Sequence, residues 1–354
     1  MKTIVTVTGI RPDFIRMSEI FKKLDHAPWC NHILIHTGQH YDNLLSGIFF
    51  KDLKIREPDY NLNIGGPGKT HYEQQASLGP AIINLFKNQQ INPDIVLFLG
   101  DSNSVLASVP LRKEGYKIGH IEAGMRSYDE RMLEELNRKV CDHMSNMLFV
   151  YHENYKQKAL SEGIKESRIH VVGNTIVEPL QKITDFDYQG TKNHILLDIH
   201  RPENFNYKDR MLEIIRLANT ATEITGNTVK MLNFNRTIEK IQDYDIDLGA
   251  IEIIPLMGYK DFVKFMQDSL FIISDSGTAQ EEPALLNIPV LVPRDFTERP
   301  ESMENNNSQM VQLNPLEDYR KYINFCLSSK EMSTTWLGDG DTSERILNIL
   351  KESI

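Results

Sequence analysis

Two acidic residues stand at the ends of apolar runs, where a strand would end and a loop begin, and a third opens the helix that follows. Asp101 lies in Gly100-Asp101-Ser102-Asn103 after the run 94–99. Glu122 lies in His120-Ile121-Glu122-Ala123-Gly124-Met125-Arg126, and Glu134 opens Glu134-Glu135-Leu136-Asn137-Arg138. Carboxylates crowded on one side of a sheet raise one another's pKa, which equips at least one of them for acid–base work. Each also has an ordinary reading: Asp101 caps the following helix, and Glu134 pairs with Arg138 four residues on. Glu122 is harder to reduce to structure, because a carboxylate next to a buried strand end is expensive unless paired or used.

A second set of residues suits a phosphorylated ligand. Asp275-Ser276-Gly277-Thr278-Ala279-Gln280-Glu281-Glu282 follows the apolar run 270–274 and precedes Pro283-Ala284-Leu285-Leu286, a strand–loop–helix pattern. Backbone N–H groups at the helix start favour an anion. Ser276 and Gly277 permit close approach, and Glu282, one turn into the helix, suits ribose hydroxyls rather than phosphate. The same eight residues read equally as an ordinary capped helix. Arg11, in Gly9-Ile10-Arg11-Pro12 after the first strand, is placed for a pyrophosphate, with Arg16 one turn later. Gly65-Gly66-Pro67-Gly68-Lys69-Thr70 ends like a P-loop, but the first required glycine falls at Asn63, so it reads as a glycine loop in which Lys69 is at most a substrate contact.

The elements that must carry these residues alternate between strand and helix, which predicts parallel sheets built from βαβ units. Strands are expected near 3–8, 32–37, 94–99, 117–121, 147–150 and 169–172, separated by helices such as Ile15–Leu24, Tyr72–Lys87, Glu134–Ser145 and Glu153–Glu162. The pattern weakens over Thr184–Lys192 and resumes with strands near 194–199, 228–232, 251–254, 270–274 and 289–292. Helices near 315–328 and 343–353 close the chain. The fold class expected is α/β, with two Rossmann-like domains facing across a cleft: 1–183, 193–330 and a closing helix in 331–354. A ligand would bind at the carboxyl ends of the strands.

Composition excludes several classes. The chain has 354 residues, 40% hydrophobic and 25% charged, and a formal net charge of −10, which argues against a general nucleic-acid binder. Its three cysteines, Cys30, Cys141 and Cys326, form no disulfide or metal pattern. No run approaches a membrane span, and the chain enters Thr3-Ile4-Val5-Thr6-Val7 without a signal-like segment. A cytoplasmic protein is expected.

Taken in order, the motifs resemble the non-hydrolysing UDP-N-acetylglucosamine 2-epimerases over almost the whole chain. They are Gly9-Ile10-Arg11-Pro12, Thr37-Gly38-Gln39-His40, Gly100-Asp101, His120-Ile121-Glu122-Ala123-Gly124, Glu134-Glu135-Leu136-Asn137-Arg138 and Gly173-Asn174-Thr175. His200-Arg201-Pro202-Glu203-Asn204, Asp275–Glu282, Thr297-Glu298-Arg299-Pro300-Glu301 and Gly338-Asp339-Gly340 complete the series. The resemblance implies a GT-B-type fold, a homodimer, a UDP-sugar in the interdomain cleft, and no NAD, PLP or metal. It implies removal of the C2 proton with expulsion of UDP to give a 2-acetamidoglycal, then re-addition. By motif, Asp101, Glu122 and Glu134 match the acid–base carboxylates. Arg11, Ser276, Gly277, Glu282 and Arg299 match nucleotide contacts. Gln39, His40, His200 and Arg201 match a second, regulatory sugar-nucleotide site of some bacterial members.

The departures bear on the sugar. Family members carry a His-Pro motif where this chain has Met231-Leu232-Asn233-Phe234-Asn235-Arg236-Thr237, so the imidazole maps to Asn233 or Phe234. Asn233 would still hydrogen-bond a phosphate or hydroxyl but not shuttle a proton. Leu133 replaces the usual proline, and Tyr41-Asp42 departs from the members with the regulatory site. Arg126–Arg131 and Ile48–Leu53 lean towards branches acting on 6-deoxy or uronic 2-acetamido sugars. Alternatives are a hydrolysing epimerase, a GT-B glycosyltransferase needing an acceptor, and a binding protein that has lost catalysis.

Overall fold

A computed structural model describes residues 1–38, 47–66, 70–328 and 331–354. The chain divides into two compact units, residues 1–179 with 337–354 and residues 180–336, the division falling inside the helix Val177–Ile183. Among the described residues, the first unit holds a seven-stranded sheet: β1 (Lys2–Thr8), β2 (Cys30–His36), β3 (Tyr60–Asn61), β4 (Ile95–Leu99), β5 (Ile118–Ala123), β6 (Met147–Val150) and β7 (Ile169–Val171). The second holds six strands: β8 (His194–Asp198), β9 (Thr228–Leu232), β10 (Glu252–Ile254), β11 (Ser269–Ser274), β12 (Val290–Val292) and β13 (Ser308–Met310). Every described pairing is parallel. The reason lies in the strands: Ile95–Leu99 and His194–Asp198 are buried at all positions, as parallel strands covered by helices on both faces must be.

The strand orders place the motifs. The first sheet runs β3-β2-β1-β4-β5-β6-β7, so its order reverses between β1 and β4. The Gly9-Ile10-Arg11 and Gly100-Asp101 loops leave the carboxyl ends of those two strands, flanking the switch point where α/β sheets bind ligands. The second sheet runs β10-β9-β8-β11-β12-β13, reversing between β8 and β11. Its flanking loops are His200–Asn204 and Asp275–Glu282.

Boundaries differ from expectation where local chemistry is subtle. The first helix spans Arg11–His26, starting earlier than Ile15, because Pro12 fits its first turn and Asp13 accepts the Gly9 and Ile10 amides at 2.7 and 3.1 Å. The edge strands Tyr60–Asn61 and Ser308–Met310 were not expected, because these short, largely polar segments carry no apolar run. The last helix, Thr342–Ser353, belongs to the first unit. Glu178 accepts the Ser343 amide and hydroxyl at 2.8 and 2.5 Å, and Lys23 pairs with Glu344 at 2.8 Å. Gly173, at φ +91°, lets the chain pass Gly338, whose own Cβ would lie 3.2 Å from the Gly173 Cα.

Candidate active site

Glu122 sits where β5 loses register between Ile121 and Ala123, and its backbone is left-handed at φ +69°. A bulge re-aims a side chain, and a non-glycine residue in this region costs of order 1–3 kcal/mol, held by its surroundings. Here the surroundings are explicit. Glu122 is 8% exposed; its Oε2 takes Arg16 at 2.9 Å and the Tyr151 hydroxyl at 3.1 Å. Tyr151 shares a 2.5 Å hydrogen bond with Thr175, and Arg16 also donates to Asn174 Oδ1 at 3.3 Å. A Cβ at Gly100 would lie 3.8 Å from Glu122 Oε1, so the second oxygen faces the Asp101 loop. Two donors, one of them a cation, thus converge on one oxygen of Glu122. Arg16, expected beside a pyrophosphate, is buried at 2% exposure against Glu122.

The other acids arrive from neighbouring elements. Asp101 pairs with Arg138, and the Asn137 amide donates to its carbonyl at 2.9 Å. Glu134 lies half-buried in the first turn of Leu133–Met144. Its neighbour Glu135 is fully buried and structural: it receives Ser127 N and Oγ at 2.9 and 3.0 Å, Tyr128 N at 3.2 Å and Arg138 at 3.1 Å. Asp13, not singled out from sequence, is a further acid. Burial pushes its carboxyl up to about 7; the Gly9 and Ile10 amides oppose the shift, while Asp101 and Glu122 add to it. Asp13 thus senses both Asp101 and Glu122. The signal for Asp13 was its place at the first helical turn. Tyr151 and Thr175 carried none.

Arg11 opens the first helix. Gly9 is required there because a Cβ would lie 1.7 Å from Ser104 Oγ.

In the second unit the two loops at the switch point are tied by buried acids. Asp275 accepts His200 N, Arg201 N and Asn204 Nδ2 at 3.0, 3.1 and 3.0 Å. Asp198 accepts the Ser274 hydroxyl at 2.8 Å and lies 3.0 Å from His200 Nδ1. Burial works against a charged His200 ring, but Asp198 and Asp275 outweigh it and raise its pKa. The His200 ring lies 5.0 Å from that of Phe234, whereas the Asn233 side chain is exposed. Of the two positions matching the missing imidazole, Phe234 is the one against His200.

After β11 the chain makes a tight turn at Thr278–Gln280 and then a single-turn helix, Glu282–Leu285, rather than the full helix expected. So short a helix adds little dipole, which leaves anion recognition to local groups. Ser276 Oγ bonds Thr278 Oγ1 at 3.0 Å. A Cβ at Gly277 would lie 2.6 Å from both Arg299 Nη1 and Glu298 Oε1. Arg299 is buried between Glu281 and Glu298, each at 2.7 Å, and Glu282 takes the Tyr259 hydroxyl at 2.6 Å. Gln39, His40 and Lys69 lie outside the described residues. Among the described residues no helix is long and apolar enough to cross a membrane.

Two parallel sheets, each with its motif loops at the switch point, define a GT-B-type α/β protein. The sequence profile of the UDP-N-acetylglucosamine 2-epimerase family matches residues 22–351. A UDP-N-acetylglucosamine 2-epimerase from Methanococcus maripaludis is 35% identical, over 99% of this chain and 98% of its own. A UDP-2,3-diacetamido-2,3-dideoxy-D-glucuronate 2-epimerase from Pseudomonas aeruginosa is 32% identical over 83% of this chain and 84% of its own. The crystal structure of the Methanocaldococcus jannaschii UDP-GlcNAc 2-epimerase, in complex with UDP-GlcNAc and UDP, superposes with a TM-score of 0.88 at 32% identity, covering 99% of both chains. The chain belongs to the UDP-N-acetylglucosamine 2-epimerase family of isomerases.

Proposed function

We propose that this enzyme inverts C2 of a UDP-linked 2-acetamido sugar by the non-hydrolysing route, serving surface-polysaccharide synthesis as a homodimer. The observation that carries the reading is Glu122: a buried carboxylate on a strained bulge, with Arg16 and Tyr151 on one oxygen and the other facing the Asp101 loop. Glu122 removes the C2 proton while the C1–O bond breaks. The electron pair of the C–H bond becomes the C1=C2 bond, and the C1–O pair leaves with UDP. Asp101 and Glu134 handle the proton on the opposite face, and UDP re-adds at C1. Arg11, Ser276, Gly277 and Arg299 bind the diphosphate, Glu282 the ribose, and Asn233 a sugar or phosphate oxygen. His200 and Arg201 contribute to a second sugar-nucleotide site in this reading.

The substrate is UDP-GlcNAc or UDP-ManNAc, or a 6-deoxy or uronic relative; the similarity to a diacetamido-glucuronate epimerase supports including the latter. The full chain, incubated in D2O with a panel of these sugar nucleotides, should place deuterium at C2 while free UDP stays low. Absence of exchange with every member overturns the proposal. Irreversible build-up of UDP with free sugar marks the hydrolysing reaction instead.

A further inference from the structure

The buried residue behind the two strand ends is His120. It is fully buried, with Nδ1 2.7 Å from Asp142 Oδ1 and Nε2 2.7 Å from the Gly100 carbonyl. A neutral imidazole has one donor and one acceptor nitrogen, and a carbonyl oxygen only accepts. Nε2 therefore carries a proton. Nδ1 carries one too unless Asp142 is the protonated partner. Asp142 is poorly placed for that: its Oδ2 receives the Gly124 amide at 3.1 Å and lies 2.8 Å from the buried Arg126 guanidinium, a cation that favours the carboxylate over the neutral acid.

We propose that His120 is a doubly protonated positioning residue, an imidazolium that clamps the Gly100 carbonyl on one side and Asp142 on the other, holding the two loops that present Asp101 and Glu122. Gly100, at φ +72°, immediately precedes Asp101. Gly124, at φ +77°, lies just beyond the left-handed Glu122, and Asp142 fixes its amide. One buried ion pair thus fixes the backbone of both carboxylates, and it spends part of that stability on the strain at Glu122. The titratable groups around the ring agree. Burial disfavours the charged ring, but Cys141 and Asp142 outweigh it and raise its pKa well above the usual value. Burial likewise disfavours the Asp142 carboxylate, and His120 with Arg126 outweighs it. Arg126 is paired in turn with Glu162 at 2.6 Å.

This role rests on the proposed epimerase reading, but the protonation state can be measured without it. Ring-15N spectra of the full chain should show one histidine protonated at both nitrogens up to at least about pH 8, absent from His120→Asn. If only neutral tautomers appear there, the clamp is refuted. His120→Asn keeps a donor towards Asp142 and His120→Gln one towards Gly100. Each should slow C2 exchange by about tenfold to a hundredfold while UDP affinity stays within about two-fold. Exchange near the wild-type rate in either folded variant overturns the proposal. Should both variants fail to fold, the wild-type imidazolium is assigned by its proximity in nuclear Overhauser spectra to the Gly124 amide, and its absence there overturns the proposal. If wild-type enzyme exchanges no sugar nucleotide but shows the imidazolium, the epimerase reading fails and the clamp stands as a structural one.

Discussion

Replacing Arg16 by methionine tests whether Glu122 is a base set by a buried cation. The pair stands at 2.9 Å with both side chains buried. At an effective dielectric of ~20 their attraction is about 6 kcal/mol. Desolvation of both ions takes back much of that, so the pair holds mainly because neither ion is left buried alone. Methionine fills similar volume without charge, so the acidic limb of the kcat profile for C2 exchange should move to higher pH by about 1–3 units, the range usual when a carboxylate loses a neighbouring cation. The stability sign follows: with its cation gone, Glu122 costs nothing when protonated at low pH and destabilises the variant as pH rises and it ionises. The loss at high pH is about 3–5 kcal/mol, the cost of an uncompensated buried charge. Arg16→Lys retains the charge and should move the limb by less than about one unit. Deuterium exchange followed by NMR across pH, with urea unfolding in parallel, reads both effects. An Arg16→Met limb that coincides with wild type would refute the reasoning.

Tyr151→Phe removes the hydroxyl between Glu122 and Thr175; unfolding should show a loss of about 1.5–3 kcal/mol, and exchange should slow by about tenfold or more. Gly277→Ala places a methyl 2.6 Å from the paired ends of Arg299 and Glu298. Calorimetry should find UDP affinity reduced about tenfold, with a stability cost of about 1–3 kcal/mol. Asp13, raised from 3.8 to about 7, favours the folded state below pH 3.8, and that advantage disappears as pH rises through about 7. Asp13→Asn should therefore gain on wild type between those values by on the order of 4 kcal/mol, measured by denaturant unfolding at fixed pH steps.

The residues themselves determined the architecture. Continuous apolar runs such as Ile95–Leu99 and Leu270–Ser274, alternating with helical periods, specify parallel strands, and the motif loops fall at their carboxyl ends. That is local information, carried by neighbours within a few positions, and it extended to Asp101 and Glu122 as acids at strand ends and to Glu134 at a helix start. The edge strands Tyr60–Asn61 and Ser308–Met310 lack the apolar run that marked the equally short Ile169–Val171 and Glu252–Ile254. The length of the helix after Asp275 was decided by the tight turn at Thr278–Gln280 rather than by propensity. Only the tertiary structure set the partners. Arg16 meets Tyr151 across 135 positions and Asn174 across 158, so no spacing rule could direct it to Glu122 rather than to a phosphate. The same holds for the Asp13 carboxyl, perturbed by burial, and for the imidazole of His120, whose charge follows from what faces its two nitrogens. Residue type supplies the groups that can carry a proton. Which of them are charged, and where they point, depends on burial and on partners that only folding brings together.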